Sequence, residues 1–359
     1  MKVLFVSRWF PYPADNGSRL RVMNLLRQLA RRHSVHLVSF TSEPVAAERT
    51  DALREWCESV DVVPYQEAPR RGIRYVTDLF STTPRSLLAA DNPLMRATLA
   101  QAVALHRPDL AIASELGTAP YVAELPVRLR LLEDLEVGVI YGDYASASDV
   151  TRKARLGLTW WKLSQYVRQL LRSYHACTAV SDVEETLLRP LIPAGLDLFT
   201  VPNAVDVGSY SGVVETPEPD TLIYPGALSY HANYDAARYF VAEVLPLIVA
   251  VRPNVKLRIT GSLDGIDLDP VFQSPNVLFT GRLPDVRSAI ARSWAVPVPL
   301  RVGGGTRLKI LEALALGTPV VSTSKGAEGL ALAEGEGIWR ADRPQAMSDA
   351  ILRLLSDAD

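Results

Sequence analysis

Residues 299–323, PLRVGGGTRLKILEALALGTPVVST, constrain this chain more than any other stretch. They read in turn as a strand end, a glycine loop, a helix, a helix stop and a second strand. Gly303, Gly304 and Gly305 carry no side chains to hold a ligand off, and glycine lets backbone N–H groups turn inward around an anion. Thr306 is the expected N-cap of the helix. Free N–H groups and the positive end of the helix dipole favour phosphate there. Arg307 and Lys309 add full positive charge to the first turn, where basic residues oppose the dipole, so they point to an external anion. Glu312, one turn on, lies among Leu308, Ile310, Leu311, Leu314 and Ala315, where a carboxylate needs a polar partner. Gly317 and Pro319 stop the helix, and Val320-Val321 opens a strand. Taken alone, the string also suits an ordinary βαβ unit with a solvated loop.

At 359 residues the chain is long enough for two domains, and a hydrophobic content of 48% against 22% charged residues supports a substantial core. A net charge of −2 argues against nucleic acid as a partner. Cys57 and Cys177 lie far apart in no metal-ligand spacing, as expected of free thiols in a reducing compartment. No stretch approaches the roughly 18 apolar residues of a membrane span. These features suggest a cytoplasmic protein and leave a peripheral contact with the inner face of the membrane open.

The chain opens with a buried parallel strand, Lys2 to Ser7, a loop RWFPYPADNG, a helix from Ser18 to about Arg32, and a strand Val35 to Phe40. In such a βαβ unit the loop lies at the carboxyl end of the first strand, where open α/β sheets bind ligands. Asp15, Asn16, Gly17 and Arg19 are therefore candidate contacts. The alternation continues through a helix near 45–58, a strand at 60–64, a basic segment at 68–90, a helix at 92–106 and a strand at 110–113. Ser114-Glu115-Leu116-Gly117 ends that strand, and Glu133-Asp134-Leu135-Glu136 ends the next one; a solvated charge cluster is the plain account of the latter. Residues 151–175 read as a long helix with Arg152, Lys153, Arg155, Lys162, Arg168 and Arg172 and no acid, with Trp160 and Trp161 in its middle. It suits either a helix packed on the sheet through Leu156, Leu163, Val167, Leu170 and Leu171, or contact with an anionic membrane surface.

Residues 190–220 are rich in proline, glycine and acids, hold one strand at 198–201, and read as a linker. Beyond it the alternation resumes: a strand at 222–224, a turn at Pro225-Gly226-Ala227-Leu228, a helix over 232–251, a strand at 256–259 and Gly261, a strand at 277–279 with Gly281-Arg282, and a helix over 284–293. The expected class is α/β, with two doubly wound Rossmann-like domains facing across a cleft: residues 1–190, a linker at 191–220, and residues 221–359.

Four stretches in this order and spacing resemble glycosyltransferase family 4, of the GT-B fold: PADNGSR, VPNAVD at 201–206, FTGRLPDV at 279–286 and GGGTRLKILEALALGTPVVST. The resemblance implies a retaining enzyme whose C-terminal domain holds a nucleotide diphosphate sugar, UDP- or GDP-linked, and whose N-terminal domain binds the acceptor. It implies that Glu312 holds the ribose hydroxyls, that Gly303, Gly304, Gly305 and Thr306 lie at the diphosphate and sugar, that Gly281-Arg282-Leu283 lies beside the nucleobase, and that the loop at Gly17 closes over the donor. Two departures matter. Where the family often has two glutamates separated by seven residues, the second is Glu312 and the earlier position is Gly304, as in the glycine-rich-loop branch. Where many members carry an Arg and a Lys after the first strand of the second domain, this chain has the region of Gly226, Ala227, His231 and Asn233. Arg307, Lys309 and Arg19 are the substitute cations.

Loss of a diphosphate leaving group can be stabilised by helix N-termini, backbone amides and cations without a metal, and no metal site is read here. The expected route is front-face attack, with the leaving phosphate oxygen taking the acceptor proton. Glu115, Asp134 and Glu136 are the side-chain acid or base candidates in the N-terminal half, each also suited to acceptor binding or structure. Closure about the 190–220 linker would exclude water. The acceptor class stays open among a glycan, a lipid-linked sugar and a small molecule. The alternatives are a sugar-nucleotide 2-epimerase, a non-catalytic nucleotide-sugar-binding protein, and a dinucleotide oxidoreductase. The last lacks its glycine fingerprint after the first strand.

Overall fold

The structure, a computed structural model, describes residues 1–65, 92–263, 265–304 and 307–356. The basic segment expected at 68–90 lies outside these residues, as do Gly305 and Thr306. The chain divides into two compact units, Met1–Pro202 and Asn203–Asp359.

Among the described residues the first unit holds a seven-stranded sheet in the order β3-β2-β1-β4-β5-β6-β7. The strands are β1 Lys2–Ser7, β2 Ser34–Thr41, β3 Ser59–Pro64, β4 Leu110–Ser114, β5 Leu129–Glu133, β6 Ala176–Ala179 and β7 Asp197–Thr200. Every neighbouring pair is parallel. Successive side chains of β1 alternate between two cores. Val3 and Phe5 pack with Val22, Met23 and Leu26 of the helix Gly17–Ala30. Leu4 and Val6 pack with Met95 and Leu99 of the helix Pro93–His106 and with Leu163 and Val167. Burial on both faces explains why the strand is an unbroken apolar run rather than an alternating one.

The second unit holds a six-stranded sheet among the described residues, in the order β10-β9-β8-β11-β12-β13. Its strands are β8 Glu218–Tyr224, β9 Lys256–Thr260, β10 Val277–Gly281, β11 Ser293–Val298, β12 Val320–Ser322 and β13 Ile338–Arg340, again parallel throughout. In both sheets the strand order reverses beside the first strand of the unit, between β1 and β4 and between β8 and β11. Crossovers leave these strand tips in opposite directions and open a crevice at the carboxyl edge.

Four local expectations are corrected. The first helix begins at Gly17, not Ser18, because the Asn16 side chain caps it, its Oδ1 accepting from the Arg19 N–H at 3.0 Å. The helix expected over 232–251 is His231–Tyr239, a π-turn Phe240–Val244, and Leu245–Val251. Pro246 has no N–H for the carbonyl four residues back, so the ladder must shift there. The helix expected over 284–293 shrinks to Arg287–Ala291, since Asp285 accepts from the Arg287 N–H at 2.9 Å and turns the chain first. Finally, β7 pairs with β6, so the first unit runs to Pro202 rather than 190, and β8 starts at Glu218 inside the expected linker.

The basic helix is Val150–Leu171 and buries Leu163, Val167, Leu170 and Leu171. No helix among the described residues is long and apolar enough to cross a membrane.

Candidate functional site

In the second unit the helix after the glycine loop is Leu308–Ala315, with Leu308, Ile310 and Ala313 buried. Arg307 occupies the N-cap position, its backbone extended and the helix beginning at Leu308, while Thr306, the expected cap, lies outside the described residues. Gly303 has φ 101, and a Cβ there would stand 3.2 Å from Ala232 Cβ and 3.4 Å from Arg307 Nη2. Only glycine suits that backbone and that space.

Lys309 and Glu312 are three residues apart and share a helix face. Lys309 reaches the tip of β8. Its ammonium donates to Asn233 Oδ1 at 3.1 Å and stands 4.3 Å from the centre of the Tyr224 ring. The Tyr224 hydroxyl donates to the same Asn233 oxygen at 3.1 Å, and Asn233 Nδ2 donates to the Ala227 carbonyl at 3.0 Å. A Cβ on Gly226 would lie 2.9 Å from Lys309 Nζ, so the ammonium sits directly on bare backbone after β8. Lys309 as a residue is half-buried, but its amine end is enclosed. Burial, aided by Arg307 and opposed by Glu312, pushes the amine down to about 7.

Glu312 is half-buried, and burial holds its carboxyl above the usual range, opposed by Tyr210, Lys309 and Arg287. The Tyr210 hydroxyl donates to Glu312 Oε1 at 3.0 Å. Arg287 secures that segment: its Nη1 donates to the Ser209 carbonyl at 2.6 Å, it pairs with Asp285, and its guanidinium lies 5.7 Å from the Tyr210 ring centre. Gly281, at φ 67, ends β10 and accepts the Gly261 N–H at 2.9 Å through its carbonyl. Arg282 is exposed and Leu283 half-buried just beyond it, and His231 is exposed at the start of the Asn233 helix.

In the first unit the tips of β1, β4 and β5 gather charge. Arg21, 5% exposed, leaves the helix Gly17–Ala30 to donate through Nε to Glu133 Oε1 at 2.7 Å and through Nη2 to the Val201 carbonyl at 3.0 Å. Asp134 Oδ2 lies 3.8 Å from the same Nε. Glu115 accepts from the Trp9 indole N–H at 3.1 Å. Glu115 and Asp134 both hold left-handed backbones, φ 68 and 57, an unfavourable conformation for non-glycine residues that turns each carboxylate at its strand tip. Burial and mutual repulsion push these carboxyls up, Glu115 to about 8 and Glu133 to about 7, with Arg21 opposing at Glu133 and Asp134. Glu136 is exposed beyond them. Gly17 starts its helix, and Arg19 turns back to pair with Asp15 at 2.7 Å, so its charge is shared with its own loop.

Lys309, Asn233 and Gly226 thus come together, with Glu312 one turn along. Glu115 and Asp134 gather at neighbouring strand tips. Sequence reasoning missed Arg21, Tyr210 and Arg287 as parts of these clusters, and the solvated charge cluster it read at Glu133-Asp134-Leu135-Glu136 is corrected, because Glu133 is buried against Arg21. Arg21 had a signal, because it shares the buried side of its helix with Val22 and Leu26. Tyr210 had none, standing 102 residues from its partner.

Residues 219–357 match the family model for group 1 glycosyl transferases. No curated protein matches the chain by sequence. Sucrose-phosphate synthase from Thermosynechococcus elongatus is 17% identical and superposes with a TM-score of 0.68 over 99% of this chain and 90% of that one. HepE of Anabaena, solved in complex with UDP-glucose, is 16% identical with a TM-score of 0.62 over 99% and 90%. WaaG, a glycosyltransferase involved in lipopolysaccharide biosynthesis, is 12% identical with a TM-score of 0.60 over 99% and 91%. Identities this low speak for the fold, and the two parallel-sheet units follow theirs. The chain therefore has the two-domain, Rossmann-like GT-B fold, and residues 219–357 of its second unit match the model of the group 1 glycosyl transferases.

Proposed function

We propose that this protein transfers a sugar from a nucleotide diphosphate sugar, UDP- or GDP-linked, to an acceptor hydroxyl, with retention at the anomeric carbon and without a metal. The observation that carries the reading is the pairing of Lys309 and Glu312 on one face of the helix behind the glycine loop. An enclosed amine beside the bare backbone of Gly226 suits a diphosphate, and a half-buried carboxylate one turn on suits the two hydroxyls of a ribose. HepE, of the same fold, was solved with UDP-glucose, which favours UDP as the first nucleotide to try.

In this reading Glu312 accepts from the ribose hydroxyls, Gly281-Arg282-Leu283 flanks the nucleobase, and Lys309, Arg307 and the amides of Gly303 to Thr306 meet the diphosphate. The acceptor O–H attacks the anomeric carbon as the bond from that carbon to the phosphate oxygen breaks, and that oxygen takes the acceptor proton. Cations and amides aimed at the departing diphosphate lower the barrier as its charge grows. Within the first unit, Glu115, Asp134 and Glu136 are the candidates for acceptor binding or acid–base work.

One observation favours a lipid-linked acceptor. Val150, Leu158 and Trp161 are 80%, 54% and 51% exposed and recur at helical spacing beside Arg155 and Lys162 on an acid-free helix, a face suited to an anionic bilayer. Calorimetry with UDP, GDP and their sugars tests the donor. Incubation of UDP-sugars with and without lipid-linked or glycan acceptors tests the reaction. Turnover of a donor into its 2-epimer without acceptor would replace transfer by epimerisation, and absence of nucleotide binding would end the reading.

A further inference from the structure

We propose that Lys309, enclosed beside the bare backbone of Gly226 with no carboxylate partner among the described residues, couples nucleotide binding to proton uptake, its amine taking up a proton as a diphosphate arrives. The inference rests on the donor reading above and deepens it.

The geometry carries it. Lys309 Nζ is enclosed where three elements meet, and the groups facing it supply little compensating charge. From its own helix come Arg307, a second cation, and Glu312, whose Oε1 already accepts from Tyr210. From β8 comes the Tyr224 ring, 4.3 Å away, whose buried hydroxyl is pushed further from ionisation. From the helix His231–Tyr239 comes the neutral Asn233, while Asp235 on that helix is engaged by Arg301 at 2.6 Å. Among the described residues no carboxylate stands within ion-pair distance of Nζ. A lysine desolvated in this way, with a cation for a neighbour, loses its proton readily, in line with an amine at about 7.

A diphosphate brought against Gly226 would supply two or more negative charges at that amine and restore the ammonium. The coupling is reciprocal. Where free Lys309 is neutral and bound Lys309 is charged, each bound nucleotide draws in about one proton, and affinity falls about tenfold per pH unit. The arrangement differs from a permanently paired lysine, which would bind anions with no proton change.

The test is calorimetry of UDP binding to the full chain at pH 8.5 in buffers of different ionisation enthalpy. At that pH the terminal phosphate of UDP, with a second pKa of about 6, has already lost its proton. The expected result is uptake of about one proton per UDP in the wild type, and close to none in Lys309→Arg, whose guanidinium stays charged. Binding of UDP with no proton uptake in the wild type overturns the inference while leaving the donor site in place. Equal uptake in wild type and Lys309→Arg overturns it too. No binding of UDP or GDP at any pH removes the donor reading and the inference with it.

Discussion

In the second unit the phenol of Tyr210 donates to Glu312 Oε1 over 3.0 Å, although 102 residues separate the two in the chain. It is the only hydrogen bond to that carboxylate among the described residues. One oxygen is thus fixed by the protein, and the carboxylate is oriented for a ligand on the other.

Removing the phenolic oxygen alone, in Tyr210→Phe, is expected to weaken UDP binding about tenfold while the melting temperature changes little, since one hydrogen bond to a charged group is lost. Glu312→Ala is expected to weaken it about 100-fold, because both ribose contacts of the proposed donor site go. Calorimetry reads both. Equal dissociation constants for wild type and Tyr210→Phe would deny Tyr210 a positioning role, and unchanged binding in folded Glu312→Ala would remove the ribose assignment.

Arg21 is expected to matter for stability more than any surface charge. It is 5% exposed and bonded to Glu133 and to the Val201 carbonyl. Arg21→Met leaves buried carboxylates uncompensated, and such a loss costs about 3–5 kcal/mol. Lysine, a point charge, cannot reproduce the two-directional fork, so Arg21→Lys should recover only part. Urea unfolding followed by circular dichroism checks this; a cost near that of an exposed pair, below about 1 kcal/mol, would show that the cluster is not a structural clamp.

The Glu115 carboxyl, pushed up to about 8 by burial and then by Asp134, makes a pH prediction. A carboxyl whose folded value is raised stabilises the fold below its unfolded value and loses that contribution as pH rises through the folded one. Its contribution is therefore complete below about pH 4.5 and is lost between there and about 8. Glu115→Gln is expected to flatten the fall in melting temperature across that window. His36 works in the opposite sense, because burial lowers its value below 6.5, so it costs stability as pH falls beneath that point. A wild-type and a Glu115→Gln profile that run parallel from pH 5 to 8 would rule out the Glu115 contribution.

Gly261 has φ 112, and a Cβ there would stand 2.7 Å from the Ala227 Cα, which is backbone and cannot turn aside. Gly261→Ala is expected to cost about 2 kcal/mol or more through strain and overlap and to displace the Gly226 turn. Both melting temperature and UDP affinity should fall. Gly195→Ala, also at positive φ but with open space around it, serves as the comparison and should lose stability with unchanged nucleotide binding.

Much of the architecture was legible before the structure. Apolar runs such as VLFV in β1, helical spacing after them, and glycine or proline at the breaks are signals in the local backbone, and each sheet assembled as they implied. The misreadings were local competitions. Asn16 outran Ser18 as a cap, Pro246 broke a helix that hydropathy alone would continue, and Asp285 delayed another. At the site, Glu312 was recognisable as a carboxylate among apolar neighbours, but its partner Tyr210 was not.

By itself the sequence determined the alternation of strand and helix, the parallel sheets and the place of the glycine loop, because periodicity, helix stops and backbone freedom act over a few residues. Only the tertiary structure decided which charges meet: Lys309 with Asn233 at the tip of β8, Arg21 with Glu133 at the tip of β5, Glu312 with Tyr210. Those pairings depend on which strand tips the crossovers bring side by side, and on burial that makes each charge seek the nearest polar group. Neither is written in the spacing of residues along the chain.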